Sequence, residues 1–249
     1  IFMSKLKIDL AVIGAGPGGY TAAIRAAQLG KKVVVIDRES VGGVCLQHGC
    51  IPTKALIRAA HTFEEITNSK ELGITASGKI DFKKTQAWKT SVIKRLDMGV
   101  RFLLKHNNIM LIKATAKFSS STTLELENSD FEYNEIEFKK CIIAAGSREK
   151  TIPIAVVDGK NIINSTQAIE LQQIPKSLLV IGGGYIGIEL SQMFSKLGTK
   201  VIIVEFLPDI INTLDSEFTS LIKKRLENKG AEIYLDSKVV SANTTMKNY

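Results

Sequence analysis

Hydrophobic positions along the chain fall into short unbroken apolar runs that alternate with longer stretches of helical period. Ile8 to Ile13 and Val33 to Ile36 are runs of the kind shown by strands buried on both faces, and the Ala-rich segment Tyr20 to Leu29 between them reads as a helix closing at Gly30. The same order returns later, with a strand over Leu178 to Ile181, a helix over Ile188 to Leu197 ending at Gly198, and a strand over Val201 to Val204. Between these units, helices are predicted over Thr53 to Glu65 and Thr85 to Lys105. In the second of them Trp88, Val92, Leu96, Val100 and Leu103 or Leu104 mark a packing face, with Trp88 expected in a core or an interface. Ile109 to Phe118 is strand-like, and alternation over Thr122 to Phe138 predicts short antiparallel strands with a turn at Asn128-Ser129-Asp130, a meander suited to a crossover layer. Lys140 to Ser147 then reads as a buried strand ending in small residues, and Phe218 to Lys229 and Ala231 to Leu235 as a further helix and strand.

Each repeat of this pattern carries a glycine turn between strand and helix. In Gly14-Ala15-Gly16-Pro17-Gly18-Gly19, Gly14 permits the tight turn, Gly16 lets the backbone approach a pyrophosphate, and Gly19 lets helix pack closely on strand. Asp37, at the end of the next strand, is placed to bind ribose hydroxyls. Gly182, Gly184 and Gly187 repeat the turn, and Glu205 repeats the acidic residue. Two β-α-β units of one grammar imply two dinucleotides. A carboxylate at Glu205 would repel a 2′-phosphate and no Arg follows it closely, so NAD is favoured over NADP at the second unit.

Cys45 and Cys50 lie between the two turns, in Cys45-Leu46-Gln47-His48-Gly49-Cys50-Ile51-Pro52-Thr53-Lys54. On a regular helix this spacing holds the Cα atoms about 8.7 Å apart, beyond the reach of a disulfide. Gly49 and Pro52 supply the freedom and the break that would let the turn deform, so a bridge here predicts an irregular or strained helix start and a reducible bond. The spacing does not suit zinc, since the third cysteine, Cys141, lies far off in an apolar strand, and no metal is expected. Taken alone, a pair spaced in this way is better read as two separate buried thiols.

Composition narrows the function classes. With 45% apolar residues in 249, the chain can bury cores without metals or structural disulfides. No run of 18 apolar residues and no cleavage pattern occurs, so neither a membrane span nor a signal peptide is expected, and Met3 reads as the start residue. The net charge of +8 is scattered over Lys83, Lys84, Lys139, Lys140, Lys223 and Lys224 with no Arg-rich helix, which argues for a solvated surface and against nucleic acid. Three cysteines, two of them close together, suit a reducing, cytoplasmic compartment and a catalytic bridge; a removed presequence would place the chain in the mitochondrial matrix instead.

With these motifs in fixed order, the chain resembles the disulfide-dependent flavoprotein oxidoreductases, and within them the members that oxidise dihydrolipoamide. The matching residues are Gly14, Gly16 and Gly19 with Asp37, Gly42-Gly43-Val44-Cys45 through Lys54, Ala144 to Arg148, and Gly182 to Glu189 with Glu205. The resemblance implies an α/β fold of two Rossmann-like dinucleotide-binding domains with a small antiparallel β insertion, residues 1–148 for FAD and 149–249 for NAD. The C-terminal interface domain of the family is then expected to be absent.

By the same resemblance, Cys45 and Cys50 form the redox disulfide. Cys45 would exchange with dihydrolipoamide, Cys50 would be the thiolate facing the flavin, and electrons would pass through FAD to NAD⁺. Lys54 would contact the flavin with Glu189 as its partner carboxylate, Tyr185 would cover the flavin at the nicotinamide face, and the backbone at Gly43, Ala116, Ala145 and Gly146 would contact FAD. The implied partners are dihydrolipoamide on a lipoyl-carrying protein, a 2-oxoacid dehydrogenase complex, and a second copy of the full-length chain. The catalytic base is expected outside the chain, and His48, His61 and His106 have no matching context. Two rivals remain: a glutathione- or mercury-type reductase fed by NADPH, and a non-catalytic flavin-binding module.

Overall fold

A computed structural model describes residues 5–129 and 131–242. Met3, read as the start residue, and Asp130, the last residue of the expected turn, lie outside them. The chain forms two compact units, one of residues 1–52 and 91–148 and the other of residues 53–90 and 149–249.

The first unit is built on a six-stranded sheet. Its strands are β1 (Lys5–Ile13), β2 (Val33–Asp37), β3 (Met110–Lys113), β4 (Thr115–Ser120), β5 (Thr123–Glu127) and β6 (Glu135–Ile143), in the order β3-β2-β1-β6-β5-β4. The first four in that order run parallel, and the β4–β5 hairpin adds antiparallel to β6. Helix α1 (Pro17–Gln28) connects β1 to β2. The apolar run of β2 has its cause in two-sided burial: Val33 and Val35 belong to one core cluster, Val34 and Ile36 to another.

Two strand expectations change here. Instead of forming a layer of its own, the meander extends the same sheet. Lys140 to Ile143 is no separate strand either, because β6 runs unbroken from Glu135 in parallel register with β1. Lys139 and Lys140 are exposed on the strand, and Lys139 Nζ binds Asp9 Oδ1 of the neighbouring strand at 2.7 Å.

The second unit has a parallel three-stranded sheet, β7 (Ser177–Ile181), β8 (Lys200–Val204) and β9 (Glu232–Tyr234), in that order. Helix α6 (Tyr185–Lys196) links β7 to β8 and α7 (Ser216–Glu227) leads to β9, while short α5 (Ser165–Ala168) carries an Asn164 capping box. Two helices run from one unit into the other: α3 (Cys50–Asn68), preceded by the six-residue α2 (Gly43–His48), and α4 (Phe82–His106). Leu56 and Ala60 of α3 pack in one core with Ile188, Met193, Phe194, Ile203 and Leu226.

Trp88 is not a core residue: it is 44% exposed. The inward stripe of this part of α4 is instead Phe82, Gln86 and Lys89, a helical i, i+4, i+7 set with two polar members of three. Lys89, only 1% exposed, donates to Ile169 O at 2.9 Å and Glu170 Oε1 at 2.5 Å, and Gln86 Nε2 donates to the carbonyls of Ile169 and Leu171. Those partners compensate the buried cation, which hydrophobic period alone could not reveal.

In the same unit, burial works against ionisation of Asp209, but Lys223 Nζ at 2.8 Å, the Thr219 hydroxyl at 2.6 Å and the Ile210 N–H hold its carboxyl below the usual range. A depressed folded-state value adds stability that is present above the unfolded value of about 4 and lost as pH falls through the folded value. Asp209→Asn is therefore expected to lower stability near neutral pH by about 1 kcal/mol and to flatten the loss of stability below about pH 4. Urea midpoints measured across that range check it.

Candidate functional site

The two glycine turns are conformational copies. Gly14 and Gly182 have φ of +102° and +103°, and Gly16 and Gly184 cap α1 and α6 in extended backbone with no side-chain cap. The third glycines, Gly19 and Gly187, press on the carbonyl of the first: a Cβ on Gly19 would lie 1.8 Å from Gly14 O, and one on Gly187 2.3 Å from Gly182 O. Side chains are thus excluded where helix meets turn, and the first N–H groups of each helix are left open to an anion.

The acidic residues also repeat, with a local role that sequence did not reveal. Asp37 Oδ2 accepts from Ala15 N at 2.7 Å and Oδ1 from Glu39 N at 2.8 Å. Glu205 Oε2 accepts from Gly183 N at 2.5 Å and Oε1 from Leu207 N at 2.8 Å. Each carboxylate therefore ties its turn to the end of the following strand. A carboxylate has about four acceptor sites, so each keeps capacity for ribose hydroxyls.

In the first unit the turn sits where β1 and β6 diverge in connection, at their carboxyl ends, which is where open α/β sheets hold ligands. Gly14 faces the Ala144 carbonyl and Ala145 N, with a Cβ on Gly14 reaching 2.2 and 3.2 Å from them, and Gly146 follows at φ +69°. Gly43, at φ +57°, lies against Gly16, whose Cα would be 2.8 Å from a Gly43 Cβ. Gly14, Gly16, Gly19, Asp37, Gly43 and Ala145 thus converge. Ala116 lies in the β4–β5 hairpin, paired with Leu126.

The cysteine segment leaves this turn directly. Gly42, left-handed at φ +88°, caps α2, Leu46 is buried, and Gln47 Nε2 anchors the helix to Val41 O at 2.8 Å and Asp97 Oδ1 at 3.1 Å. Gly49 (φ −134°, ψ −107°) then breaks the helix, and α3 starts at Cys50. The break brings the two Cα atoms to 4.6 Å, and Cys45 and Cys50 are bridged. Gly49 is the residue that permits the bridge, as a Cβ there would sit 3.0 Å from Val44 O. Cys50 is exposed and Cys45 half-buried. Cys141 is a free thiol on β6, and burial pushes it up from its ordinary value. No group of three or more potential metal ligands occurs among the described residues.

Within the second unit, Lys54 Nζ donates to both oxygens of Glu189, at 2.6 and 2.8 Å, joining α3 to the first turns of α6. The expected pair is therefore in place, although Lys54 is 58% exposed and the contact adds little to stability. Tyr185, at the start of α6, is exposed and shares a 2.7 Å hydrogen bond with Thr213. A cavity of about 350 Å³ beside Gly182 and Glu205 is also lined by Phe206 and Lys238. Lys238 escaped the sequence reading because it lies on a later loop with no motif around it. No helix among the described residues is long and apolar enough to cross a membrane.

Comparison with known proteins agrees with this geometry. The model of the pyridine nucleotide-disulphide oxidoreductase family matches residues 8–248. The dihydrolipoyl dehydrogenase of Geobacillus stearothermophilus is 47% identical over 229 residues, covering 92% of this chain and 48% of that protein. That of Bacillus subtilis is 46% identical over 228 residues, covering 90% and 48%. Among solved structures, the HOCl-induced flavoprotein disulfide reductase RclA of Escherichia coli superimposes with a TM-score of 0.77 at 28% identity, over 93% of this chain and 49% of its own. LpdA of Mycobacterium tuberculosis shares the fold at a TM-score of 0.86 and 23% identity, over 96% of this chain and 53% of its own. The chain spans about half the length of the curated relatives it matches.

Proposed function

The chain belongs to the pyridine nucleotide-disulphide oxidoreductase family, and from that premise we propose that it carries the redox centre of a dihydrolipoamide dehydrogenase. Residues 1–148 hold FAD and residues 149–249 hold NAD. The observation that carries the proposal is the Cys45–Cys50 bridge at the break between α2 and α3, two residues beyond the Gly43 that packs on the first glycine turn.

The residues present fit both cofactors, since each turn has a cradle that a Cβ would fill and an acidic residue with acceptor capacity to spare. FAD and NAD⁺ would be held by Gly14, Gly16, Gly19, Asp37, Gly43, Ala116, Ala145 and Gly146, and by Gly182, Gly184, Tyr185, Gly187 and Glu205, and when bound supply the two-electron and hydride acceptors. The chain's own chemistry is thiol exchange. One thiolate of dihydrolipoamide attacks Cys45 Sγ, the Cys45–Cys50 bond breaks, and Cys50 leaves as thiolate with the electron pair. The second dihydrolipoamide thiolate then attacks the substrate sulfur of the mixed disulfide, closing oxidised lipoamide and releasing Cys45 as thiolate. Two electrons enter the cysteine pair, and two protons leave the substrate thiols.

Assigning Cys50 as the leaving thiolate rests on its place as the first residue of the 19-residue α3, where a helix N-terminus favours negative charge. Accessibility alone would not choose it, because Cys50 is the more exposed of the pair. Lys54, one turn further along α3 and fixed by Glu189, supplies a positive charge on the same helix end. Lys54→Ala is expected to lower kcat about tenfold in the intact protein, and Lys54→Arg to restore part of it. Steady-state rates with dihydrolipoamide check this.

The physiological donor is dihydrolipoamide on a lipoyl-carrying protein of a 2-oxoacid dehydrogenase complex, and the working form is a homodimer. Lys238, lining the cavity beside Glu205, favours the NADPH-dependent rival to the extent that it offers a cation to a 2′-phosphate. Rates with NADH and NADPH compared in one preparation decide. A clear NADH preference that narrows in Glu205→Ala supports the proposal, and a preference for NADPH overturns its NAD half.

A further inference from the structure

Away from its glycine turn, the second unit has a cavity of about 460 Å³ between α3, the end of α6 and the end of α7. Its charged lining is His61 and Glu64 from α3, Lys196 as the last residue of α6, and Arg225 and Lys229 from α7 and the turn after it, with the Asn228 amide beside them. We propose that this cavity binds a small phosphorylated anion.

Three permanent cations face one carboxylate. Burial works against ionisation of Glu64, but its hydrogen bonds with Lys229 Nζ and with Lys196 Nζ at 3.0 Å, together with their charges, keep its carboxyl below the usual range. Arg225 is left over: among the described residues its guanidinium has no ion pair or hydrogen bond, though it borders the same space. The C-terminal ends of α6 and α7 contribute negative dipole ends equivalent to roughly half a charge each. Against a side-chain balance of +2 from Lys196, Arg225, Lys229 and Glu64, they leave a net positive cavity. His61 adds a nitrogen whose Nδ1 lies 3.2 Å from Lys196 Nζ, while Glu65 sits 3.3 Å from Nε2 on its outer side. The volume falls in the range of about 300–1,000 Å³ typical of small-molecule sites, and the unused guanidinium is the group best suited to a phosphate fork.

Structural stapling by Glu64 is the plain alternative, and it predicts the opposite response to one substitution. If the cavity takes an anion, Glu64 competes with it for Lys196 and Lys229, so Glu64→Gln tightens binding. If Glu64 only staples helices, that change loosens the unit and creates no binding. Inorganic phosphate is titrated into the intact protein at constant ionic strength, set with chloride, while the His61 ring resonances are followed by NMR. That local probe ignores phosphate at the glycine turns. A saturable shift is expected that weakens about tenfold in Arg225→Ala and strengthens in Glu64→Gln. Arg225 is exposed, so its variant is expected to keep the fold. Absence of a saturable shift in the wild type, or unchanged affinity in Arg225→Ala, overturns the proposal. Glycerol 3-phosphate run in parallel separates the sources: tighter binding than phosphate identifies a phosphomonoester, equal binding identifies free phosphate. No electron transfer is involved, so failure here leaves the redox proposal untouched.

Discussion

Cys50→Ser is expected to reduce dihydrolipoamide oxidation by the intact protein by about a thousandfold or more. Serine keeps the size of the side chain and the start of α3, but it removes the sulfur that must leave as thiolate when the bridge opens. Without a bridge, a substrate thiolate has no disulfide to attack, and the first bond change cannot occur. Cys141→Ser is the matched control, because Cys141 lies free on β6 and its thiol is pushed up by burial, away from the reactive range. Its rate is expected to stay close to wild type. Oxidation of NADH by a soluble quinone, which does not need the bridge, is expected to survive in Cys50→Ser. Steady-state rates for the three proteins with both donors check the set, and a Cys50→Ser variant that turns over dihydrolipoamide normally rules the bridge out of the reaction.

Gly19→Ala is expected to destabilise the first unit by about 3 kcal/mol or more, enough to prevent normal folding, while Gly18→Ala is expected to be neutral or stabilising by up to about 1 kcal/mol. Both glycines lie in the first turn of α1. A Cβ on Gly18 would touch only Ala144 Cβ, at 4.0 Å, an ordinary contact. A Cβ on Gly19 would sit 1.8 Å from Gly14 O, and Val12 Cγ1 lies 3.4 Å away on the other side. The obstruction is backbone, so no rotamer change relieves it. Instead, α1 would have to lift off β1 and open the turn. The same contrast in the second unit, where Gly187 meets Gly182 O at 2.3 Å, predicts a comparable loss for Gly187→Ala. Urea unfolding of the three variants tests the point, and equal stability for Gly18→Ala and Gly19→Ala would contradict this packing.

How much of this was legible in the sequence depended on whether the cause was local. The glycine turns were legible because strand, turn and helix are contiguous and each glycine answers a separate local demand. Lys54 and Glu189, 135 positions apart, were found only through the family pattern, since nothing near either residue names a partner. Gln86, Lys89 and Glu64 were missed for the same physical reason. A charged or amide side chain on an inward stripe reads as solvated until the groups that satisfy it are seen: carbonyls and a carboxylate for Gln86 and Lys89, lysine ammonium groups for Glu64. The core half of the Trp88 expectation failed with them, because the inward stripe was sought among apolar residues alone. The run of β6 from Glu135 to Ile143 was read as two strands, because alternation over Thr122 to Phe138 gives way to an unbroken apolar run after Lys140. The strand carries its two lysines on an exposed face, and its neighbour offers Asp9 to Lys139. The hydrogen bonds from Ala15 and Gly183 to the acidic residues show a further limit, since one carboxylate can hold a turn and still have acceptors for a ligand.

If Cys45–Cys50 is the redox centre, anaerobic reduction of the protein with one equivalent of dihydrolipoamide, followed by alkylation and peptide mass analysis, reads it out at the two sulfurs. Label appearing at Cys45 and Cys50 together, with oxidised lipoamide released and Cys141 labelled no faster than before reduction, is the predicted result. A bridge that stays closed while dihydrolipoamide is consumed would contradict it.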